Sequence, residues 1–94
     1  RAFGNLTKTG EPGYYRTLFD APGKGDFFLF TGSWGRGEMW INGHSLGRFW
    51  NRGAQKTLYV PGCWLKEKGN ELIILDYVGP TQPVVEGYKS AILD

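Results

Sequence analysis

Ninety-four residues give room for one hydrophobic core and none for a catalytic barrel beside it. Eleven Lys and Arg against nine Asp and Glu leave a formal charge of +2. The basic residues are scattered, with Lys66 and Lys68 bracketing Glu67, so no stripe tracks phosphates and nucleic acid is excluded as a partner; apolar runs stop far short of the ~20 residues of a membrane-spanning helix.

Fifteen glycines and five prolines punctuate the chain, and the segments between them are short, β-branched and aromatic, a spacing that predicts an antiparallel β-sandwich or barrel. The first predicted strand runs from Tyr14 to Asp20 and ends in the turn chemistry of residues 21–25. A second covers Asp26 to Thr31. Its unbroken Phe27-Phe28-Leu29-Phe30 predicts a central strand covered on both faces. From Arg36 to Asn42, Gly37, Met39 and Ile41 point to one face and Glu38, Trp40 and Asn42 to the other.

Asn42-Gly43 predicts a two-residue type I′ hairpin, because both residues tolerate the positive φ that this turn demands. The returning strand spans about Ser45 to Trp50. Thr57 to Val60 is stopped by Pro61 and Gly62, Cys63 to Lys66 fits one short helical turn, and Glu71 to Val78 is the most strand-like stretch. Val84 to Leu93 supplies a last strand. No window has the apolar periodicity of a long helix.

Cys63 has no partner for an internal disulfide, and one Cys with one His falls short of a zinc ligand set. It reads as a small buried hydrophobe before Trp64. The chain opens at Arg1 without Met and without a signal peptide, as expected of a piece of a longer protein.

Four features recur in order: Gly-Ser-Trp-Gly-Arg-Gly from Gly32, the Asn42-Gly43 hairpin, Leu-Gly-Arg-Phe-Trp from Leu46, and Thr-Leu-Tyr-Val-Pro from Thr57. With Gly13-Tyr14-Tyr15-Arg16-Thr17-Leu18-Phe19 before them and Gly69-Asn70-Glu71-Leu72-Ile73-Ile74-Leu75 after, most of the chain resembles one family. That family is the C-terminal jelly-roll domain, of galactose-binding-like fold, in β-galactosidases of glycoside hydrolase family 35. The resemblance implies a single sandwich over residues 1–94, truncated or whole, that partners the catalytic barrel and other domains of a multidomain glycosidase. It also implies galactose-containing carbohydrate as a further partner, no cofactor, no turnover by this chain alone, and a secreted, periplasmic or lysosome-like compartment. In the family a separate barrel cleaves the glycoside with two glutamates and retention.

The carboxylates that sequence offers for such chemistry are Asp26, Glu38, Glu71 and Asp76. Glu38 and Asp76 are placed to face each other across strands, but the plainer expectation is solvent-facing carboxylates or partners of Arg36, Arg48 or Lys56. Ser45 lacks a nucleophile elbow, and His44 is expected at the hairpin tip or capping a loop by a hydrogen bond. Gly35 and Gly37 lack the helix of a phosphate cradle, and Gly32, Gly35, Gly37, Gly43 and Gly47 read as sites of positive φ or close backbone approach.

Aromatic rings suit the C–H faces of sugars. Trp34, Trp40, Trp50, Tyr59 and Trp64, with Arg48, are therefore the candidate sugar or interdomain contacts. Three readings compete: core or under-loop packing, above all for Trp50 and Trp64; an interdomain patch, above all for Trp34 and Trp40; and direct sugar contact. Alternation puts Trp40 and Tyr59 on outward sheet faces.

Overall fold

Period-two alternation decides which way each strand faces, and two central strands set the pattern. In the computed structural model, which describes residues 2–21, 23 and 25–88, β5 (Arg36–Ile41) buries Gly37, Met39 and Ile41, while β8 (Asn70–Asp76) buries Asn70, Leu72, Ile74 and Asp76. They pair antiparallel with Met39 opposite Ile74 and Ile41 opposite Leu72, so their inward side chains form one apolar layer. With β2 (Thr7–Lys8), β3 (Tyr14–Phe19) and β6 (His44–Trp50) they make a five-stranded sheet of order β2-β3-β8-β5-β6.

The second sheet takes β1 (Ala2–Asn5), β4 (Phe27–Phe30), β7 (Thr57–Val60) and β9 (Val84–Tyr88) in the order β1-β9-β4-β7. All pairings are antiparallel. Phe27, Leu29, Val60 and Val85 face Phe19, Met39, Ile41, Leu72 and Ile74 across the sandwich, all nearly or wholly buried. The expected all-β sandwich is therefore the fold. Its helical part among the described residues is a single 3₁₀ turn, Gly62–Trp64, one residue upstream of the expected position. The last predicted strand is seen as far as Tyr88, and its continuation to Leu93 lies outside the described residues.

Two glycine positions are required by the backbone. Asn42 and Gly43 have φ of 48° and 84°, the type I′ combination that turns β5 back into β6. At Gly37, a Cβ would run into the Leu75 carbonyl of the paired strand, so only hydrogen fits there.

Three expectations are corrected. Phe28 and Phe30 are only half-buried, because the outer face of β4 is covered by rings rather than by a further layer: Phe28 packs on Tyr59 and Phe30 on Tyr88, with centroids 5.5 and 6.0 Å apart. Cys63 is exposed, since the 3₁₀ turn directs it to solvent while Trp64 packs against the core. Two N-terminal strands, β1 and β2, exist where sequence offered no strand pattern.

Candidate functional site

The two ends of β5 and β8 are finished differently. At one end Asn70, fully buried, accepts from the Lys66 amide at 2.7 Å and from Asn42 Nδ2 at 2.9 Å, and donates to the Lys66 and Phe19 carbonyls. Asn42 donates to the Trp64 carbonyl and accepts from the Glu71 amide, both at 2.9 Å. The hairpin, the 3₁₀ turn and the strand start are thus joined by two amide side chains. His44 lies flat on Trp64, with centroids 4.5 Å apart and planes 10° apart, so the imidazole at the hairpin is a stacked lid on that end.

At the other end stands Asp76, 3 % exposed. Its carboxylate accepts four backbone N–H bonds, from Gly35 (2.8 Å), Arg36 (3.1 Å), Val78 (3.0 Å) and Gly79 (3.0 Å). The Tyr77 amide in turn donates to the Arg36 carbonyl at 2.8 Å, and the Asn51 amide to the Gly35 carbonyl at 2.7 Å. One buried side chain therefore fixes two loops against each other, and the Asn51 amide ties a third to the first of them. A cleft of about 810 Å³ opens beside them, lined among others by Arg36, Glu38, Arg48, Trp50, Gln55 and Tyr77.

Strand register gathers the charged part of this lining. Arg36 stands opposite Trp50 and Glu38 opposite Arg48, all four on the outward face of β5 and β6. The Arg36 guanidinium carbon sits 5.7 Å from the Trp50 ring centroid, a cation–π pair, and half of the Trp50 surface stays open. Glu38 accepts from the Ser45 hydroxyl at 2.8 Å. Among the described residues neither Arg36 nor Arg48 has a carboxylate within ion-pair distance; the ion pair that does form joins Arg16 and Glu71 elsewhere on the sheet.

The six candidate contacts scatter. Trp34, expected at a docking patch, is 1 % exposed: its indole N–H donates to the Val84 carbonyl at 3.1 Å and its ring meets Tyr15 edge-on, so it is core. Truncating it to Ala would cost about 3–5 kcal/mol. Trp50, expected to be packed away, is exposed because Arg48-Phe49-Trp50 alternates with Phe49 inward. Trp64 is half-buried under His44, and Trp40 is half-buried on the outer face of the five-stranded sheet, stacked on Tyr14 at 6.4 Å. Tyr59, outward on the other sheet as alternation expected, donates its hydroxyl to Asp26 at 2.6 Å. That bond holds the Tyr59 phenol above its ordinary range, and the same bond, with the Gly62 amide, holds the Asp26 carboxyl below its own. Only Trp50 and Arg48 come together in the cleft.

The four carboxylates named from sequence each have their own partner and none pairs with another. Asp76 is not solvent-facing but bonded to backbone, and Glu38 points to the opposite face of the sheet from it. Sequence reasoning missed Asp76 as the organiser of this end. Its local signal was the Asp followed by a Gly-Pro turn, the pattern of an Asx turn.

Fold and site together define a small antiparallel β-sandwich with a cleft of mixed polar and apolar lining at one end and, among the described residues, no converging carboxylate pair. Residues 12–70, more than half of the chain, match the family described as "Beta-galactosidase, galactose-binding domain", and the chain belongs to that family. It is similar to the human "Beta-galactosidase-1-like protein 3", 48 % identical over 63 residues, covering 67 % of this chain and 10 % of that protein. It is also similar to the mouse "Beta-galactosidase-1-like protein", 39 % identical over 87 residues, and to "Beta-galactosidase 1" of Dictyostelium discoideum, 36 % identical over 86. These two matches cover 88 % and 87 % of this chain but only 14 % and 12 % of the relatives. The chain thus spans between a tenth and a seventh of the length of these three relatives.

Proposed function

We propose that this sandwich is a non-catalytic accessory domain of a larger β-galactosidase, docked on its catalytic barrel or a neighbouring domain through the apolar centre of the outer face of the five-stranded sheet, beside the cleft and not over it. The parent enzyme would remove terminal β-galactosyl groups with retention. One observation carries the docking: Tyr14, Leu18, Trp40, Ile73 and Leu75 all lie on that outward face. In a sheet facing water this side would be polar. Here Leu75 lies beside Tyr14, Ile73 lies beside Trp40, and Tyr14 and Trp40 stack across β8, giving a contiguous apolar patch at the sheet centre. The far greater length of the relatives supports a covering partner in the same polypeptide.

The test places Leu75→Glu both in the isolated chain and in the full-length protein that carries it. The isolated chain should melt almost unchanged, whereas the full-length enzyme should lose galactosidase activity at temperatures several degrees lower. Equal heat inactivation of parent and variant would remove the docking reading. Turnover of a chromogenic galactoside by the isolated chain, lost in Glu38→Gln, would overturn the non-catalytic one.

A second reading, direct recognition of galactosides, is favoured by the cleft: Trp50 offers an open ring beside hydrogen-bonding groups, the usual composition of a sugar subsite.

A further inference from the structure

We infer that the cleft between the ends of β5 and β6 selects an acidic sugar, a galactoside bearing a carboxylate or a sulfate, over a neutral one; this rests on the sugar-recognition reading of the same cleft. The charged groups lining it are two guanidinium groups, Arg36 and Arg48, and one carboxylate, Glu38, a net of +1. The two arginines are diagonal neighbours across the β5–β6 pair, at the spacing of about 7–8 Å that long side chains bridge. Two like charges on the same side of the strand pair repel each other, and Glu38, although opposite Arg48, lies outside ion-pair distance of either among the described residues. A single anion between them relieves that repulsion and takes charge-assisted hydrogen bonds from both.

The rest of the lining matches the remainder of an acidic sugar. Trp50 supplies the ring for a C–H face, with Arg36 already ordered against it at 5.7 Å. Glu38, with one oxygen engaged by Ser45, has its second to accept a ring hydroxyl. Gln55 is held in place by its bond to the Thr57 carbonyl at 2.9 Å, and Tyr77 stands exposed at the rim. An acidic peptide fits less well, because Glu38 would repel its additional carboxylates, whereas a sugar acid carries one charge ringed by hydroxyl donors. The volume, about 810 Å³, is that of a small-ligand site rather than of a peptide groove. The backbone on which Arg36 and Tyr77 stand is fixed by Asp76, so the geometry is preformed.

The test is calorimetric titration of the 94-residue chain with four probes: methyl galactoside, methyl galacturonide, galactose 6-sulfate and a Glu-rich peptide. Both acidic sugars should bind about tenfold or more tightly than methyl galactoside, and the advantage should shrink when ionic strength rises to about 0.5 M. Arg48→Gln should erase the preference and leave neutral-sugar affinity unchanged. Trp50→Ala should weaken both sugar types. Arg52→Gln, which removes an exposed arginine outside the cleft lining, should change neither. Circular dichroism checks that each variant stays folded. The carboxylate and sulfate arms identify which acid the site prefers. Equal affinity for neutral and acidic sugars would overturn the inference and leave sugar recognition standing. Absence of binding to all three sugars would overturn both. Tighter binding of the peptide than of any sugar would assign the cleft to an acidic protein segment instead.

Discussion

The closed end and the open end of this sandwich are built from the same two strands, yet they use polar groups in opposite ways. At the Asn70 end, each amide group of Asn42 and Asn70 is spent on a backbone or side-chain partner, and a stacked His44–Trp64 pair covers the result. At the Asp76 end, one carboxylate gathers four amides beneath a rim whose arginines, among the described residues, have no carboxylate within ion-pair distance. A saturated network stabilises and does little else. A network that is saturated underneath and left unsatisfied at its rim has reactive hydrogen-bonding capacity to offer a ligand.

The sharpest way to break that contrast is to remove each organiser in turn. Asp76→Ala strands four amide donors and should cost about 4 kcal/mol, and in folded protein at low temperature it should also abolish binding in the cleft. Asn70→Ala should cost about 3 kcal/mol but leave cleft binding intact, because Asn70 lies at the other end of β8. Chemical denaturation combined with titration reads both; equal loss of binding in the two variants would erase the distinction between the ends. Gly43→Val, at φ 84°, should lower stability by about 1 kcal/mol or more, visible in the melting temperature, without touching the cleft.

The smallest effect belongs to Asp26 and Tyr59, away from both ends. Because the folded state lowers the Asp26 pKa, its contribution is present above the unfolded carboxyl value of 3.8 and is lost as pH falls through the lowered one. Because it raises the Tyr59 pKa, that contribution is present below 10.0 and is lost as pH rises through the raised value. Carbon-13 NMR of Tyr59 should show its phenol titrating at higher pH in the parent than in Asp26→Asn; identical Tyr59 titration in the two proteins would show the bond is not formed.

How much of this was readable depended on where the deciding partner lay. Strands β3 to β8 and the start of β9 follow from period-two alternation and Gly/Pro punctuation, which are local. Strands β1 and β2 have no such pattern: Ala2-Phe3-Gly4-Asn5 and Thr7-Lys8 are strands because β9 and β3 present edges to them. Trp34 lies between strands, where periodicity says nothing, and its burial is set by Tyr15 and by the Val84 carbonyl fifty positions on. Trp50 was legible after all, since extending the alternation through Phe49 puts it outward beside Arg48. The Asp76 network was legible only in part: its bonds to Val78 and Gly79 are local, while those to Gly35 and Arg36 span some forty residues.

The exposed Cys63 has a practical consequence. It is the one thiol of the sequence, and it sits on the 3₁₀ turn beside Trp64, across the length of β5 from the cleft. A maleimide dye attached there needs no engineered cysteine and crowds none of the cleft residues, so the wild-type chain carries its own address for fluorescence anisotropy or surface immobilisation.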